Sequence, residues 1–213
     1  MKNKILKNWD NQPKESFIKK IEEKIHGSPP LKEKIAHVTW RLKLQHEKLE
    51  NASAKLQKHD RELFEKCVQA ELAKDHTRAA IYANECAEVR KMAKIILLSQ
   101  LAIEKVILRL ETIQEFGDVL QGLAPVTGVI RTLKGNLSGI IPEVSYELDS
   151  ISEMLNGMMV EAGKTSDITF TVEAEGEESR KILKEAGAVA EQKLKERFPE
   201  IPATLTEKLF QKQ

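Results

Sequence analysis

One stretch of the chain has the letters of a phosphate-binding loop, Gly-Lys-Thr-Ser at residues 163–166. Such a loop also needs a glycine five positions before its Gly-Lys pair, so that backbone N–H groups can surround a phosphate. Met158 occupies that position, Gly157 lies one residue too far away, and no buried strand precedes the stretch. The sequence therefore does not predict nucleotide binding here.

Histidine and cysteine side chains offer no clearer chemistry. The five histidines, at positions 26, 37, 46, 59 and 76, show neither HExxH nor Cys/His ligand spacing. His59 and Asp60 could form a carboxylate–histidine contact, but no nucleophile in a strained turn accompanies them. Cys67 and Cys86 are expected to be reduced core residues that lie near each other. We predict no catalytic residue, no metal site and no cofactor.

Two heptad repeats organise the chain and predict a long antiparallel helical hairpin over residues 30–115. No Pro or Gly occurs from Lys32 to Phe116, and either residue would weaken a helix. Seven residues are close to two helical turns, so each repeat forms one apolar stripe. The repeat loses phase at residues 73–77, where Asp75 or Thr77 can cap the second helix. The first stripe is Ile35, Leu42, Leu49, Leu56, Leu63 and Ala70; the second is Tyr82, Val89, Ile96, Ile103 and Leu110, flanked by Ala79, Cys86, Ala93, Gln100 and Ile107.

The second arm is apolar over more of its circumference than one stripe requires, particularly over residues 95–110. A helix of this kind must be covered on more than one side. Later helices of the same chain or a neighbouring subunit could supply the cover, and the two do not exclude each other. We expect Leu97, Leu98, Leu101 and Leu108 to be polymer contacts.

Shorter helices are expected over residues 116–163, completing a helical core that begins at residue 28. Several glycines and Pro125 indicate a weak or kinked helix after the hairpin. A further helix is expected to resume at Ile141, with Pro142 in its first turn.

Residues 164–176 are interpreted as a linker to a final helix. Apolar residues at positions 168, 170, 172 and 174 alternate with polar ones, a strand-like pattern that fits either a disordered segment or an edge strand. An amphipathic helix is predicted from Glu177 to Phe198, and its apolar stripe is Ile182, Leu183, Ala186, Val189, Ala190, Leu194 and Phe198. Residues 177–213 thus contain this helix and a proline-containing tail.

Charge is unevenly distributed, although the net charge is only +1. Residues 1–61 carry +7 and residues 143–213 carry −6, so the two ends can attract each other or compete for an anionic partner. No run reaches the roughly 18 apolar residues of a transmembrane helix, and the first ten residues do not resemble a signal peptide. We expect a cytoplasmic protein that would lie on a membrane rather than span it.

The N-terminal segment, residues 1–27, combines seven lysines with several apolar side chains. Phe17, Ile18, Ile21 and Ile25 would line one face of a short helix. One interpretation is attachment to an anionic bilayer, where each lysine contributes ~1 kcal/mol. The other is a disordered tail whose second half docks on the hairpin. The predicted membrane-binding residues are Ile5, Leu6, Trp9, Phe17, Lys19, Lys20, Lys32, Lys34, Arg41 and Lys43.

Residues 73–113 resemble the second helix of ESCRT-III proteins, most specifically at residues 79–85 and in Val89-Arg90-Lys91. The start at residues 30–35 and the glycine-rich third helix are similar to the archaeal, CdvB-type cell-division branch. The resemblance implies an all-α fold: a long antiparallel helical hairpin, shorter helices and a C-terminal regulatory helix. It also implies a closed, soluble form and an open form that polymerises on anionic membranes. The missing winged-helix extension of some archaeal members implies a shorter paralogue.

The same resemblance implies a partner for the C-terminal tail. Polymers of this family are remodelled by an AAA ATPase whose MIT domain binds a C-terminal motif. Residues 198–205 resemble its proline-rich version, but begin with Phe and lack a third Pro. Proline fixes an extended backbone at low entropic cost, so apolar neighbours can fill a groove between helices; a frayed helix end is the alternative. The predicted ATPase-binding residues are Phe198, Pro199, Ile201, Pro202 and Leu205.

These observations lead to a functional hypothesis. The chain would be a filament subunit that constricts or severs membrane necks in archaeal cell division, at the division site. Its partners would be copies or paralogues of itself, anionic lipid and the ATPase, without nucleic acid. A phage-shock-type membrane-repair scaffold and a non-membrane coiled-coil adaptor are the alternatives. A nucleic-acid binder would need a denser basic stripe than the sequence provides.

Overall fold

The computed structural model describes residues 30–116, 119–163 and 172–198, and these residues form helices without strands. In chain order the helices are α1 (Leu31–Leu72), α2 (His76–Phe116), α3 (Val119–Leu137), α4 (Pro142–Gly163) and α5 (Val172–Arg197). Helices α1 and α2 pack along each other as a long hairpin. The predicted all-α hairpin followed by shorter helices is confirmed.

Both heptad stripes lie where the sequence placed them, in the seam between α1 and α2. Ile35, Leu42 and Leu49 are fully buried on α1, and Ile103 and Leu110 are fully buried on α2. The seam continues toward the turn as two smaller clusters that contain the cysteines and several alanines. Small side chains there allow the two helices to approach closely as they converge on the turn.

A Schellman motif closes the hairpin turn. The backbone N–H of Asp75 donates to the carbonyl of Ala70, and the N–H of Lys74 donates to that of Glu71. Lys74 has a φ of 60°, the left-handed conformation that this motif requires and that normally favours glycine. Asp75 then caps α2, because its carboxylate accepts the backbone N–H of Arg78 at 3.1 Å. Of the two predicted caps, the structure selects Asp75.

Helices α3 and α4 form a second, shorter pair that packs on the open end of the hairpin. Leu133 and Leu137 of α3 and Leu148 of α4 are fully buried in the same core as the hairpin leucines. Helix α4 contacts α1, whereas α3 contacts α2. Pro125 lies inside α3, as the sequence indicated, and α4 begins at Pro142.

The final helix begins earlier than expected. It starts at Val172 rather than at Glu177, so the strand-like alternation is wrong at positions 172 and 174, both of which are helical. Gly176 lies within the helix and does not mark its start. The first part of the predicted linker, residues 164–171, lies outside the described residues.

Candidate regulatory interface

Helix α5 runs antiparallel to α2 and is joined to it by three ion pairs. Lys94 pairs with Glu191 at 2.5 Å, Arg109 pairs with Glu178 at 2.5 Å, and Lys105 pairs with Glu185. The cations lie on α2 and the carboxylates on α5. Because all three cations lie outside residues 1–61, these pairs are not the attraction between the basic front and the acidic C-terminal region that the sequence suggested.

These ion pairs shift the acid–base properties of α5. Hydrogen bonds from Lys105 and Lys94 hold the pKa of the Glu185 and Glu191 carboxyls below the ordinary value. The same pairs lie at the solvent-exposed margin of the interface, where salt screens charges effectively. We therefore expect low pH and high ionic strength to weaken the contact between α5 and α2.

The buried face of α5 consists largely of small residues, with Ile182 as its larger buried side chain. Ala186 and Ala190 are fully buried, and a Cβ atom on Gly187 would lie 3.6 Å from the Cδ1 of Leu98. Val189, which the sequence placed on the apolar stripe, is 41% exposed. The buried face of α5 is therefore narrower than the apolar stripe predicted from the sequence.

The start of α5 is fixed on α3 by a buried serine. The Ser179 hydroxyl donates to the backbone carbonyl of Pro125 at 2.9 Å. Gly128 makes this approach feasible, because a Cβ atom there would lie 2.4 Å from the Ser179 Oγ. The glycine of α3 thus creates the space that the α5 serine occupies.

The other end of α5 rests on a buried ion pair within the hairpin. Arg90 of α2 donates two hydrogen bonds to the Asp60 carboxylate of α1, at 2.7 and 3.0 Å, and Asp60 is only 1% exposed. The Phe198 ring, 6% exposed, lies 5.8 Å from the Arg90 guanidinium carbon. This cation–π geometry connects the end of α5 to the hairpin.

Sequence reasoning missed this arrangement, having paired Asp60 with neighbouring His59. The sequence did contain one signal for a second buried face of α1. Four residues on this helix are separated by seven or fourteen positions, and each follows a member of the apolar stripe by four positions: Thr39, Ser53, Asp60 and Cys67. All four are buried. A stripe of small or polar residues beside the apolar stripe indicates that α1 is covered on two faces.

The predicted polymer-contact leucines differ in their surroundings. Leu97 is buried, and Leu98 and Leu101 are partly buried against the core cluster that includes residues of α5. Leu108 is 58% exposed. Of the two covers considered for this arm, the structure shows the one from later helices of the same chain.

The described part of the predicted membrane surface is largely engaged in ion pairs. Lys34 pairs with Glu161 of α4, and Lys43 pairs with Glu111 of α2. Lys32 is exposed. The other members of the predicted set, Ile5, Leu6, Trp9, Phe17, Lys19 and Lys20, lie outside the described residues.

Arg41 is the most constrained of these cations. It donates to Glu147 at 2.7 Å and to the Ser150 hydroxyl at 3.0 Å, and it contacts the sulfur of Met154. A hydrogen bond from Arg41 also lowers the pKa of the Glu147 carboxyl. Lys34 and Arg41 thus hold α4 against α1. Of the predicted ATPase-binding residues, Pro199, Ile201, Pro202 and Leu205 lie outside the described residues.

Cys67 and Cys86 are free and buried, as expected. Burial, followed by the charge of nearby Asp60, raises the pKa of Cys86 to about 11, and burial also raises that of Cys67. In the described ranges, no group of three or more His, Cys, Asp or Glu side chains is placed to hold a metal ion. None of the helices described has the length and apolarity needed to cross a membrane.

Comparison with curated proteins places this architecture in a class. A cell division protein B1 of Sulfolobus acidocaldarius is 43% identical over 174 residues, which cover 82% of this chain and 81% of that protein. A cell division protein B of the same organism is 39% identical over 181 residues, covering 85% of this chain and 68% of that protein. A cell division protein B3 is 32% identical over 117 residues, or 55% of this chain and 68% of that protein.

No family model and no solved structure matches the chain. The helical hairpin, the shorter helices and the relatives together define an ESCRT-III-type protein. Within that class, the chain belongs to the CdvB-type, or cell division protein B, family.

Proposed function

We propose that this protein acts in archaeal cell division as a filament subunit that polymerises on anionic membrane, and that the described structure is its closed form. The observation that carries the proposal is the position of α5. Helix α5 lies over Leu98 of α2. Lys94 is about one turn before that leucine and Lys105 about two turns after it, and both lysines pair with carboxylates of α5. In this proposal α5 is a releasable cover over a surface used for self-assembly.

Release of α5 would expose two kinds of surface. Leu98 and Leu101 would lose part of their apolar cover, which favours packing against another copy or a paralogue. Lys94 and Lys105 would lose their carboxylate partners and add positive charge to α2. Many weak contacts along a polymer sum to strong attachment, and lysines near an anionic surface add to it.

The position of Phe198 implies that the closed form also limits binding of the ATPase. It is buried against Arg90 in the closed form, yet it is also the first residue of the segment proposed to bind the MIT domain of an AAA ATPase. A side chain cannot occupy both positions at once. We therefore expect ATPase binding to be stronger when α5 is released.

A pair of charge reversals tests the proposal. Glu185→Lys with Glu191→Lys should place like charges across the interface and release α5, while Lys94 and Lys105 stay in place. Liposome co-sedimentation at low salt and electron microscopy should then show several-fold more membrane-bound protein and filaments than for the unmodified protein. Adding Lys94→Glu and Lys105→Glu restores the opposite charges in swapped positions and should restore closure.

The matched control is Glu62→Lys with Glu88→Lys. These glutamates pair with Lys58 and Lys91 on their own helices, so the net charge change is the same without a change at α5. Limited proteolysis reports whether α5 is released. If α5 is released and the protein neither assembles nor binds liposomes, the proposed function is wrong. If α5 stays protected after both reversals, the ion pairs do not hold it.

A further inference from the structure

A groove lies between the first turns of α1 and the second half of α4. It encloses about 590 Å³, within the range of about 300–1,000 Å³ typical of sites that bury a ligand. Gly157 makes the space available, because a Cβ atom there would meet nothing within 4 Å. The groove is lined mainly by apolar surface, with carboxylates at its margin. Its residues are Glu33, Lys34, His37, Met154, Gly157, Met158 and Glu161.

We propose that the N-terminal segment of the same chain, through the apolar face of Phe17, Ile18, Ile21 and Ile25, docks in this groove. The described chain begins at Pro30, and α1 starts at the next residue, so the segment is tethered at the groove itself. Ile25 is eight residues from Glu33, and an extended chain of that length spans at most about 28 Å. A tether this short gives the segment a high effective concentration at the groove.

The sequence of the tether favours a reversal of direction. Gly27, Ser28, Pro29 and Pro30 are residues that turns use, because glycine tolerates unusual φ values and proline fixes φ near −65°. A reversal would lay the segment back along α1 and α4. A helix of only a few turns is marginal in water by itself, so an amphipathic segment gains order by burying its apolar face.

Charge also favours this occupant. Residues 142–163, which form α4, contain five acidic residues and no Lys or Arg. Three of the five already pair with Lys34, Arg41 and Lys134, whereas Glu143 and Glu153 are exposed. Residues 1–27 carry seven lysines against four acids. The predicted helix thus presents apolar residues to an apolar groove and lysines to acidic margins.

Trp40 provides a further apolar edge. Its ring stacks on His37, a groove residue, at 6.0 Å between centroids, and it remains 57% exposed. An exposed tryptophan beside a partly apolar groove enlarges the surface that a helix could cover. The docking itself does not depend on the proposed filament function, and its test requires no lipid.

Cysteine scanning of the full chain tests the proposal. Single cysteines are placed at each position from 14 to 25, and their reaction with a maleimide is followed by mass spectrometry. The native thiols are buried and therefore react slowly. Positions 17, 18, 21 and 25 should react about tenfold more slowly than positions 19, 20 and 24. Equal reactivity along the segment would contradict docking.

Filling the groove should remove this protection. Gly157→Leu places a side chain in the open space, and Gly135→Leu is its control, because Gly135 also has nothing within 4 Å but lies on α3. Glu33→Lys is a second variant, with repulsion of the segment's lysines as its expected effect. Protection that survives both Gly157→Leu and Glu33→Lys would show that the segment docks elsewhere.

Protein concentration distinguishes the tethered segment from that of a second copy. Docking within one chain gives protection that is independent of concentration from about 1 to 100 µM, since the effective concentration of the tether exceeds this range. Protection that appears only at the higher concentrations would mean exchange between copies and would overturn the proposal.

Discussion

The α1–α2 seam and the α5 interface bury apolar surface in different ways. The seam consists mainly of long apolar side chains, such as Leu42 and Ile103, and the Lys43–Glu111 and Asp60–Arg90 ion pairs also join its two helices. The α5 interface buries Ala186 and Ala190 together with one larger side chain, Ile182, and has ion pairs at its exposed margins. Apolar burial contributes roughly 25 cal/mol per Å², and alanine offers much less area than leucine. This difference in buried apolar area is consistent with a hairpin of α1 and α2 that stays together and with a helix α5 that can dissociate from it.

The largest effect should come from shortening a seam residue. Leu42→Ala removes a fully buried side chain and should lower the free energy of unfolding by about 2–5 kcal/mol. Leu44→Ala, two residues away on the same helix, is the control, because Leu44 is 37% exposed. Denaturant unfolding followed by circular dichroism measures both. Equal losses for the two variants would mean that the seam does not dominate stability.

A substitution on α3 should weaken the attachment of α5 without lowering the stability of the hairpin. Gly128→Ala brings a Cβ atom against the Ser179 hydroxyl, so α5 should dissociate from α3. Trypsin should then cleave α5 about tenfold faster. The rest of the protein should not lose stability, since alanine is a better helix residue than glycine by about 1 kcal/mol.

Gly135→Ala is the control for that substitution. It makes the same change on the same helix, in open space, so it should increase stability without increasing cleavage of α5. Faster cleavage in both variants would place the effect in α3 itself rather than in the contact with Ser179.

Acid should release α5 before it unfolds the hairpin. The pKa values of Glu185 and Glu191 are lower in the closed form, so their ionised state stabilises closure. This contribution is complete well above the ordinary pKa of 4.5 and is lost as the pH falls through the lowered values. Small-angle X-ray scattering between pH 7 and 3 should show expansion, with helicity by circular dichroism unchanged.

Glutamine substitution checks the origin of that expansion. In Glu185→Gln with Glu191→Gln, neither side chain can ionise, so closure should already be weaker at pH 7 and should depend less on pH. An unchanged pH profile would mean that another group causes the expansion. Glu147, between α1 and α4, would be the first group to examine, because its pKa is also lowered.

The contrast between the two regions also explains what the sequence could predict. The seam was predictable, because a seven-residue repeat of large apolar side chains determines which face is buried. The partners of Lys105 and Arg109 were not, since exposed charges have no periodic pattern and their pairing depends on how two helices distant in sequence align. Val189 shows the same limit: the helical period placed it inward, but it is 41% exposed, whereas Ala186 and Ala190 on the same helix are fully buried.

The smallest expected effect lies in the hairpin turn. Lys74 holds the left-handed conformation at a position where glycine carries no Cβ penalty, so Lys74→Gly should increase stability by about 0.5–1 kcal/mol. The gain is limited because glycine also increases the conformational freedom of the unfolded chain. Since Lys74 is remote from α5, tryptic cleavage within α5 should not change. Urea unfolding and proteolysis of the same variant test both statements. A loss of stability would mean that the lysine side chain contributes more to the turn than its backbone strain removes.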